Sequence, residues 1–287
     1  MDDPSRHGGT YVLGSEPPEL VRLDRQAAWL EEPSRLLLGH AGIGRGMRVL
    51  DLGTGLGHVA RIAGDLVGPN GAVVGVDRSA PALGVARQRT EAAGASHVSF
   101  VEADVSGWRA PEPFDAIVGR LVLFHLADPV LAIRQQLENL GQGGLFVALD
   151  FDIGAARAHP PVEFLSEVVG WVDRAFAAAG AAPRIGCHLA SILSGAGLVD
   201  VRTLGIQRYL LPDDPTGPAL LSGVVRSMAD AIARHGIATP EQIGLDTLND
   251  RIREALRRAD AVMLPPTLVG AWGRRPGSHR PAAAVRQ

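Results

Sequence analysis

The chain has 287 residues, is 46% hydrophobic and carries a formal net charge of −3, which fits one large α/β domain with a sizeable core and excludes general disorder. All 28 basic residues are arginine, and without lysine neither the Schiff base of pyridoxal-phosphate chemistry nor a phosphate-binding P-loop can form. No dense basic run precedes the C-terminal tail, which argues against a nucleic-acid-binding face, and the single cysteine, Cys187, excludes an internal disulfide or a thiolate cluster.

The chain starts with polar residues 1–7 and no apolar segment follows them, and no apolar run reaches the ~20 residues that span a bilayer. A soluble, cytoplasmic protein without a membrane partner is expected. Residues 17–41 form the first predicted helix, with Pro17 and Pro18 in its first turn and Leu20, Leu23, Ala27 and Leu30 on one stripe. Pro33 is expected to break or kink it.

Val49–Leu52 reads as a buried strand. It ends in Asp51-Leu-Gly53-Thr54-Gly55-Leu-Gly57, and His58–Val67 follows with the apolar spacing of a helix. Glycine lets a ligand approach the backbone closely, and the free amides of a helix start favour polar or anionic atoms. The spacing is Gly-x-Gly-x-Gly, where dinucleotide folds use Gly-x-Gly-x-x-Gly. Ala72–Val76 is a continuous apolar strand ending at Asp77, twenty positions beyond Gly57. A carboxylate there can accept hydrogen bonds from ribose hydroxyls, or can cap the next helix, for which Ser79 is also suited. Helix 80–93 ends at Gly94. His97–Val101 is a third strand, followed by Glu102-Ala103-Asp104-Val105. Pro113–Val118 is a fourth, followed by Gly119-Arg120 and the apolar stretch to Leu126 that contains His125. Asp128-Pro129 opens a helix, and Gly143–Leu149 is a fifth strand finishing at Asp150-Phe151-Asp152. Strands alternating with helices predict a doubly wound, mostly parallel sheet.

Asp-x-Gly-x-Gly-x-Gly at 51–57, the acidic Asp77, Val-Glu-Ala-Asp-Val at 101–105 and Phe-Asp-Ala-Ile-Val at 114–118 resemble, in order, the motifs of class I (Rossmann-like) S-adenosylmethionine-dependent methyltransferases, in the form found in bacterial enzymes of small-molecule, secondary metabolism. The resemblance covers about residues 47–151 and implies a seven-stranded sheet with S-adenosyl-L-methionine as cofactor. It implies cofactor contacts from Asp51, Gly53, Thr54, Gly55 and Gly57, from Asp77 and Arg78, from Asp104 (to the adenine amino group) and Val105, and from Arg120. Tyr11-Val-Leu-Gly14 and the segment from Glu19 to Gln26 resemble the leader of one bacterial group, which covers the cofactor. On that likeness Tyr11 and Arg22 join the site. A hydrophobic plug and a solvated arginine are the plainer alternatives.

Beyond 152, helices are expected at 162–179, 189–196, 219–234 and 241–258, a sixth strand at 198–206 and a seventh from 261–264 or 268–272. The expected organisation is leader and helix to 46, cofactor core 47–152, helical lid plus C-terminal strands 153–275, and a loose tail 276–287. The added helices are read as a substrate-covering lid, or else as a homodimer interface. Methyl transfer requires alignment of the acceptor and exclusion of water, with a general base if a hydroxyl or an acidic carbon is methylated. His125 is the best-placed candidate base, a packed histidine in an apolar run being the plainer alternative, and Asp150, Asp152, His159 and His188 are further candidates. No Asn/Asp-Pro-Pro-Tyr/Phe motif or Pro-Cys nucleophile follows strand four, and Asp150 and Asp152 have no third ligand at suitable spacing. A metal-independent enzyme with a small-molecule methyl acceptor is therefore expected. An S-adenosylmethionine-binding enzyme that does not methylate, such as a cyclase, or an NAD-dependent oxidoreductase is the alternative.

Overall fold

The computed structural model describes residues 17–277, so Tyr11 lies outside the described residues. Helix α1 (Pro17–Ala41) precedes β1 (Arg48–Leu52), α2 (His58–Val67), β2 (Ala72–Asp77), α3 (Ala80–Ala92), β3 (Val98–Glu102), β4 (Phe114–Arg120), α4 (Pro129–Gln136) and β5 (Leu140–Asp152). After them come β6 (Arg157–His159), α5 (Glu163–Ala178), α6 (Leu189–Gly195), β7 (Val199–Ile206), α7 (Thr216–Arg234), α8 (Pro240–Ile243), α9 (Leu248–Arg258), β8 (Val262–Leu264) and β9 (Thr267–Arg274).

Seven strands form one sheet in the order β3-β2-β1-β4-β5-β9-β7. The first five are parallel, and β9 runs antiparallel to both β5 and β7. The strand order reverses between β1 and β4, so the carboxyl ends of these strands open onto the crevice where open α/β sheets bind ligands. One face of the sheet packs on α1 and α2 through Leu30, Leu37, Val59 and Ile62. The other packs on α4, α6 and the turn before α4 through Leu123, Ile133, Leu189 and Leu193. A separate apolar cluster joins α5, α7 and α9 around Trp171, Val225 and Ile252.

Three expectations on the elements are corrected. Helix α1 runs on through Pro33, because Leu30, Leu37 and Leu38 on either side are buried against the sheet and hold the turn that lacks its hydrogen bond. The helix expected at 241–258 is two: Gly244 takes a left-handed conformation that stops α8, and α9 restarts at Leu248. Residues 262–264 leave the main sheet to pair with β6, and β9 alone supplies the strand between β5 and β7.

Candidate active site

The turn after β1 has three glycines with left-handed backbones, Gly53 at φ +62, Gly55 at +51 and Gly57 at +77. Their surroundings differ. A Cβ at Gly53 would stand 2.7 Å from Val122 Cγ2, and one at Gly57 would stand 2.9 Å from Ala86 Cβ. At Gly55 a Cβ would meet nothing within 4 Å. Two of the glycines are therefore required by packing, and the third leaves an open face.

Asp77 ends β2 and is tied to this turn. Its Oδ2 accepts from the Gly55 amide at 2.8 Å and its Oδ1 from the Ser79 amide at 2.9 Å. An ionised carboxylate offers about four acceptor positions, so both oxygens retain capacity for hydroxyl donors. Ser79 itself caps α3, accepting from the Ala82 amide. Arg78 is exposed beside Asp77.

Asp51 and Thr54 face inward. Asp51 is 1% exposed, and Thr54 Oγ1 donates to its Oδ2 at 2.6 Å. Burial pushes the Asp51 carboxyl up to about 7, opposed by the Thr54 hydroxyl, the Arg120 charge and the Ala60 amide. These two side chains shape the turn from within, and the Thr54 backbone is bonded there as well, its amide donating to Val76 O at 3.1 Å and its carbonyl accepting from the Gly57 amide at 2.9 Å. Arg120, at the end of β4, donates to Ser34 Oγ of α1 at 3.0 Å. Burial lowers its pKa to about 10, offset by the charges of Asp51 and Glu31.

Asp104 is exposed after β3. Its Oδ1 accepts from the amide and hydroxyl of Ser106 at 2.8 and 2.6 Å, and those bonds hold the carboxyl below its usual range. The half-buried Val105 gives its carbonyl to Gln136 Nε2. Gln136 and Asn139 form a buried amide pair that also fixes Trp108 and Ala110.

His125 ends a short turn, Leu123–His125, immediately after β4. Its ring lies on Phe124 with centroids 3.7 Å apart, and burial followed by the Arg78 charge lowers its pKa to about 4. Asp150 stands at the carboxyl end of β5, fully buried. His159 and His188 are exposed on the surface.

Several contributors belong to no motif. Asp24 of α1 receives both nitrogens of Arg89 at 2.8 Å and lies 3.1 Å from His58 Nε2, while Glu31 accepts from Arg61 at 2.6 Å. Helix α1 is thereby fastened across the start of α2. Arg22 donates to Gln26 at 2.5 Å, and a Cβ at Gly223 of α7 would be 3.6 Å from its Cγ. Among the described residues no three His, Cys, Asp or Glu side chains are grouped to hold a metal ion.

The reversal of strand order, the antiparallel strand beside β5 and the glycine turn facing Asp77 together define a class I methyltransferase fold. Residues 43–173 match the family described as methyltransferase domain, and the fold is that of class I methyltransferases. It is 36% identical over 119 residues to the ubiquinone/menaquinone biosynthesis C-methyltransferase UbiE of Pseudomonas paraeruginosa, covering 41% of this chain. The match spans 46% of that relative's length. The fold is shared with YcgJ of Bacillus subtilis at 21% identity and a TM-score of 0.51, over 86% of this chain and all of that one. It is shared also with phosphoethanolamine N-methyltransferase 2 of Haemonchus contortus in complex with S-adenosyl-L-methionine, at 19% identity and a TM-score of 0.54, over 86% of this chain and 53% of that one. The cofactor of this family is S-adenosylmethionine.

Proposed function

We propose that the chain transfers a methyl group from S-adenosylmethionine to a small-molecule acceptor, without a metal ion, in bacterial secondary metabolism. The observation that carries this reading is the pairing of the open Gly55 with Asp77 at 2.8 Å, where carboxylate lone pairs remain for a ribose. When bound, the cofactor supplies an electrophilic methyl on a positively charged leaving group. The chain's own residues hold and shield it. Gly53, Gly55 and Gly57 bring backbone close, Asp77 accepts ribose hydroxyls, and Asp104 has an oxygen left for an exocyclic amine. Arg78, Val105 and Arg120 flank them, and Arg22 of α1 approaches α7 at Gly223; Tyr11 is assigned to the cofactor by the likeness of its segment alone. Asp51 and Thr54 act through the shape of the turn. The helices α5, α7 and α9 form a cap that excludes water from the acceptor.

His125 is the general base. With a pKa of about 4 its ring is neutral and able to accept a proton throughout the physiological range, though weakly. This suits an acceptor whose proton is already acidic or whose lone pair chiefly needs orientation. A lowered pKa moves the acid limb of the pH–rate profile down, so activity should rise through about pH 4 and stay flat above, rather than rise near the usual ~6.5. His125→Ala should reduce turnover by roughly 10²- to 10⁴-fold with cofactor affinity unchanged. Equal turnover in that variant would leave the ring a packing group against Phe124.

The deciding experiment is calorimetric titration with S-adenosylmethionine, S-adenosylhomocysteine and NAD. The first two should bind. Asp77→Ala should weaken them by about 1–3 kcal/mol through unpaired hydrogen-bonding groups, roughly 5- to 150-fold in dissociation constant. Asp77→Asn, which keeps an acceptor for the Gly55 amide, separates the loss of ribose bonds from a loosened turn. Binding of NAD alone would overturn the reading. Release of S-adenosylhomocysteine with an acceptor separates methyl transfer from a protein that only holds the cofactor.

A further inference from the structure

Asp150 is a buried carboxyl with no evident employment. It lies on the face of β5 that also carries Phe146 and Ala148, opposite to the face of α1 and α2. It is 0% exposed, and neither carboxylate oxygen has a hydrogen-bond partner among the described residues. Burial raises its pKa well above the carboxylate range. No charged side chain offsets that rise. Only the amides of Leu123 and Phe124 oppose it, facing the carboxyl without reaching hydrogen-bond geometry.

Those two amides open the turn that ends in His125, and no side chain caps it. Two uncapped donors therefore face two unpaired acceptors, a juxtaposition that buried polar groups rarely leave unmade. Elsewhere the turn is held by the Ala182 amide donating to Phe124 O at 2.9 Å and by the burial of Leu123, so the Leu123 and Phe124 amides are the part of it left unsatisfied. Leu121, at its entrance, has a left-handed backbone with φ 56, a conformation that L side chains rarely adopt. It is anchored by its amide to Leu149 O at 2.8 Å, one residue from Asp150. The next residue, Val122, touches Gly53 of the glycine turn. One short segment thus contacts the proposed cofactor loop at its start, carries His125 at its end and rests on Asp150 beneath.

We propose that Asp150 is a positioning residue for His125, its carboxyl becoming the cap of the 123–125 turn when the glycine turn is loaded and so fixing the imidazole. The proposal rests on the reading of the site as a methyl-transfer centre with His125 as base. With a ligand on the glycine turn, to which Val122 joins this segment through Gly53, the Leu123 and Phe124 amides donate to Asp150. The side chain never touches the reacting atoms; it acts through the turn.

The test uses the full chain, isotope-labelled, with S-adenosylhomocysteine as probe and nuclear magnetic resonance as readout. In the wild type, saturation with the probe should move the Leu123 and Phe124 amide protons downfield and shift the His125 ring signals, which His125→Ala identifies. Asp150→Asn keeps a carbonyl acceptor and should retain both responses in weakened form. Asp150→Val should lose both while still binding the probe, its fold verified by an unchanged pattern of amide signals away from the turn. Wild-type shifts in Asp150→Val, or no movement of either amide in the wild type on binding, overturns the positioning role and leaves the methyl-transfer reading standing. Failure of the wild type to bind the probe by calorimetry overturns that reading, and this inference with it.

Discussion

Gly57→Ala is expected to lower the unfolding free energy by about 2–5 kcal/mol, whereas Gly55→Ala, two residues away in a similar backbone conformation, should lower it by about 1–2 kcal/mol. Both positions have positive φ, +77 and +51, and both substitutions incur the left-handed penalty of ~1–2 kcal/mol for a residue with a Cβ. They differ in what the Cβ meets. At Gly57 it would stand 2.9 Å from Ala86 Cβ of α3 and 3.0 Å from Phe100 Cζ of β3. The backbone of α3 would have to give way, an overpacking cost of ~1–3 kcal/mol. At Gly55 it would enter open space. The functional order should be the reverse. Gly55→Ala fills the face on which a cofactor would lie, so S-adenosylhomocysteine affinity should fall more than stability does. Urea unfolding and calorimetric titration on the same two variants check this. Equal destabilisation would mean that the α3 and β3 contacts do not require Gly57, and unchanged affinity in Gly55→Ala would place the ligand elsewhere.

Much of the fold was legible because its signals are local. The apolar run Ala72–Val76 reads as a strand of a parallel sheet, and the alternating glycines at 53, 55 and 57, between an apolar run and a helical pattern, read as a strand-to-helix turn. Expected and observed bounds agree to a residue or two from α2 through β4. Legibility ends where a partner far along the chain decides. Nothing near Thr267 indicates that its strand lies between β5 and β7; that follows from pairing Asp152 with Thr267 and Ile206 with Leu268. Gly244 carries the break between α8 and α9, but a lone glycine in a helical pattern is tolerated often enough to be passed over. In the candidate site, Asp77 was visible from its position after a strand, while its bond to Gly55, 22 residues away, was not. Ser34 reads as an ordinary helix residue, yet it is fully buried and accepts from Arg120, 86 residues distant. Gln136 and Asn139 stand in a helix end that suggests only solvated amides, and they hold the Asp104 loop in place. Residue type reveals such groups only after burial is known.

Asp51→Asn is expected to remove a pH dependence of about 4 kcal/mol from the stability of the protein. The carboxyl of Asp51 titrates at about 7 when folded, chiefly through burial, against an ordinary value of 3.8. A raised folded pKa means that the folded state binds the proton more tightly than the unfolded chain does. The folded state is therefore favoured at acid pH. Its stability falls as pH rises from about 4 through about 7, and is level above that because both states are then ionised. Asparagine has no proton to lose. The unfolding free energy of the variant relative to the wild type should thus rise by roughly 2–3 kcal/mol between pH 5 and pH 8, measured by urea unfolding at both. The double difference cancels the histidines, the surface carboxylates and the buried Asp150 carboxyl, which shares the direction of the Asp51 shift. Parallel curves for the two proteins would mean that Asp51 is already ionised at pH 5, held so by the charge of Arg120. The expected result carries a consequence for the site. The carboxyl under the glycine turn is close to half-protonated at neutral pH, so a cationic ligand group bound near it would favour the ionised form and lower the Asp51 pKa. Ligand affinity should then strengthen as pH rises through about 7 in the wild type and stay level in Asp51→Asn, because linkage works equally in both directions.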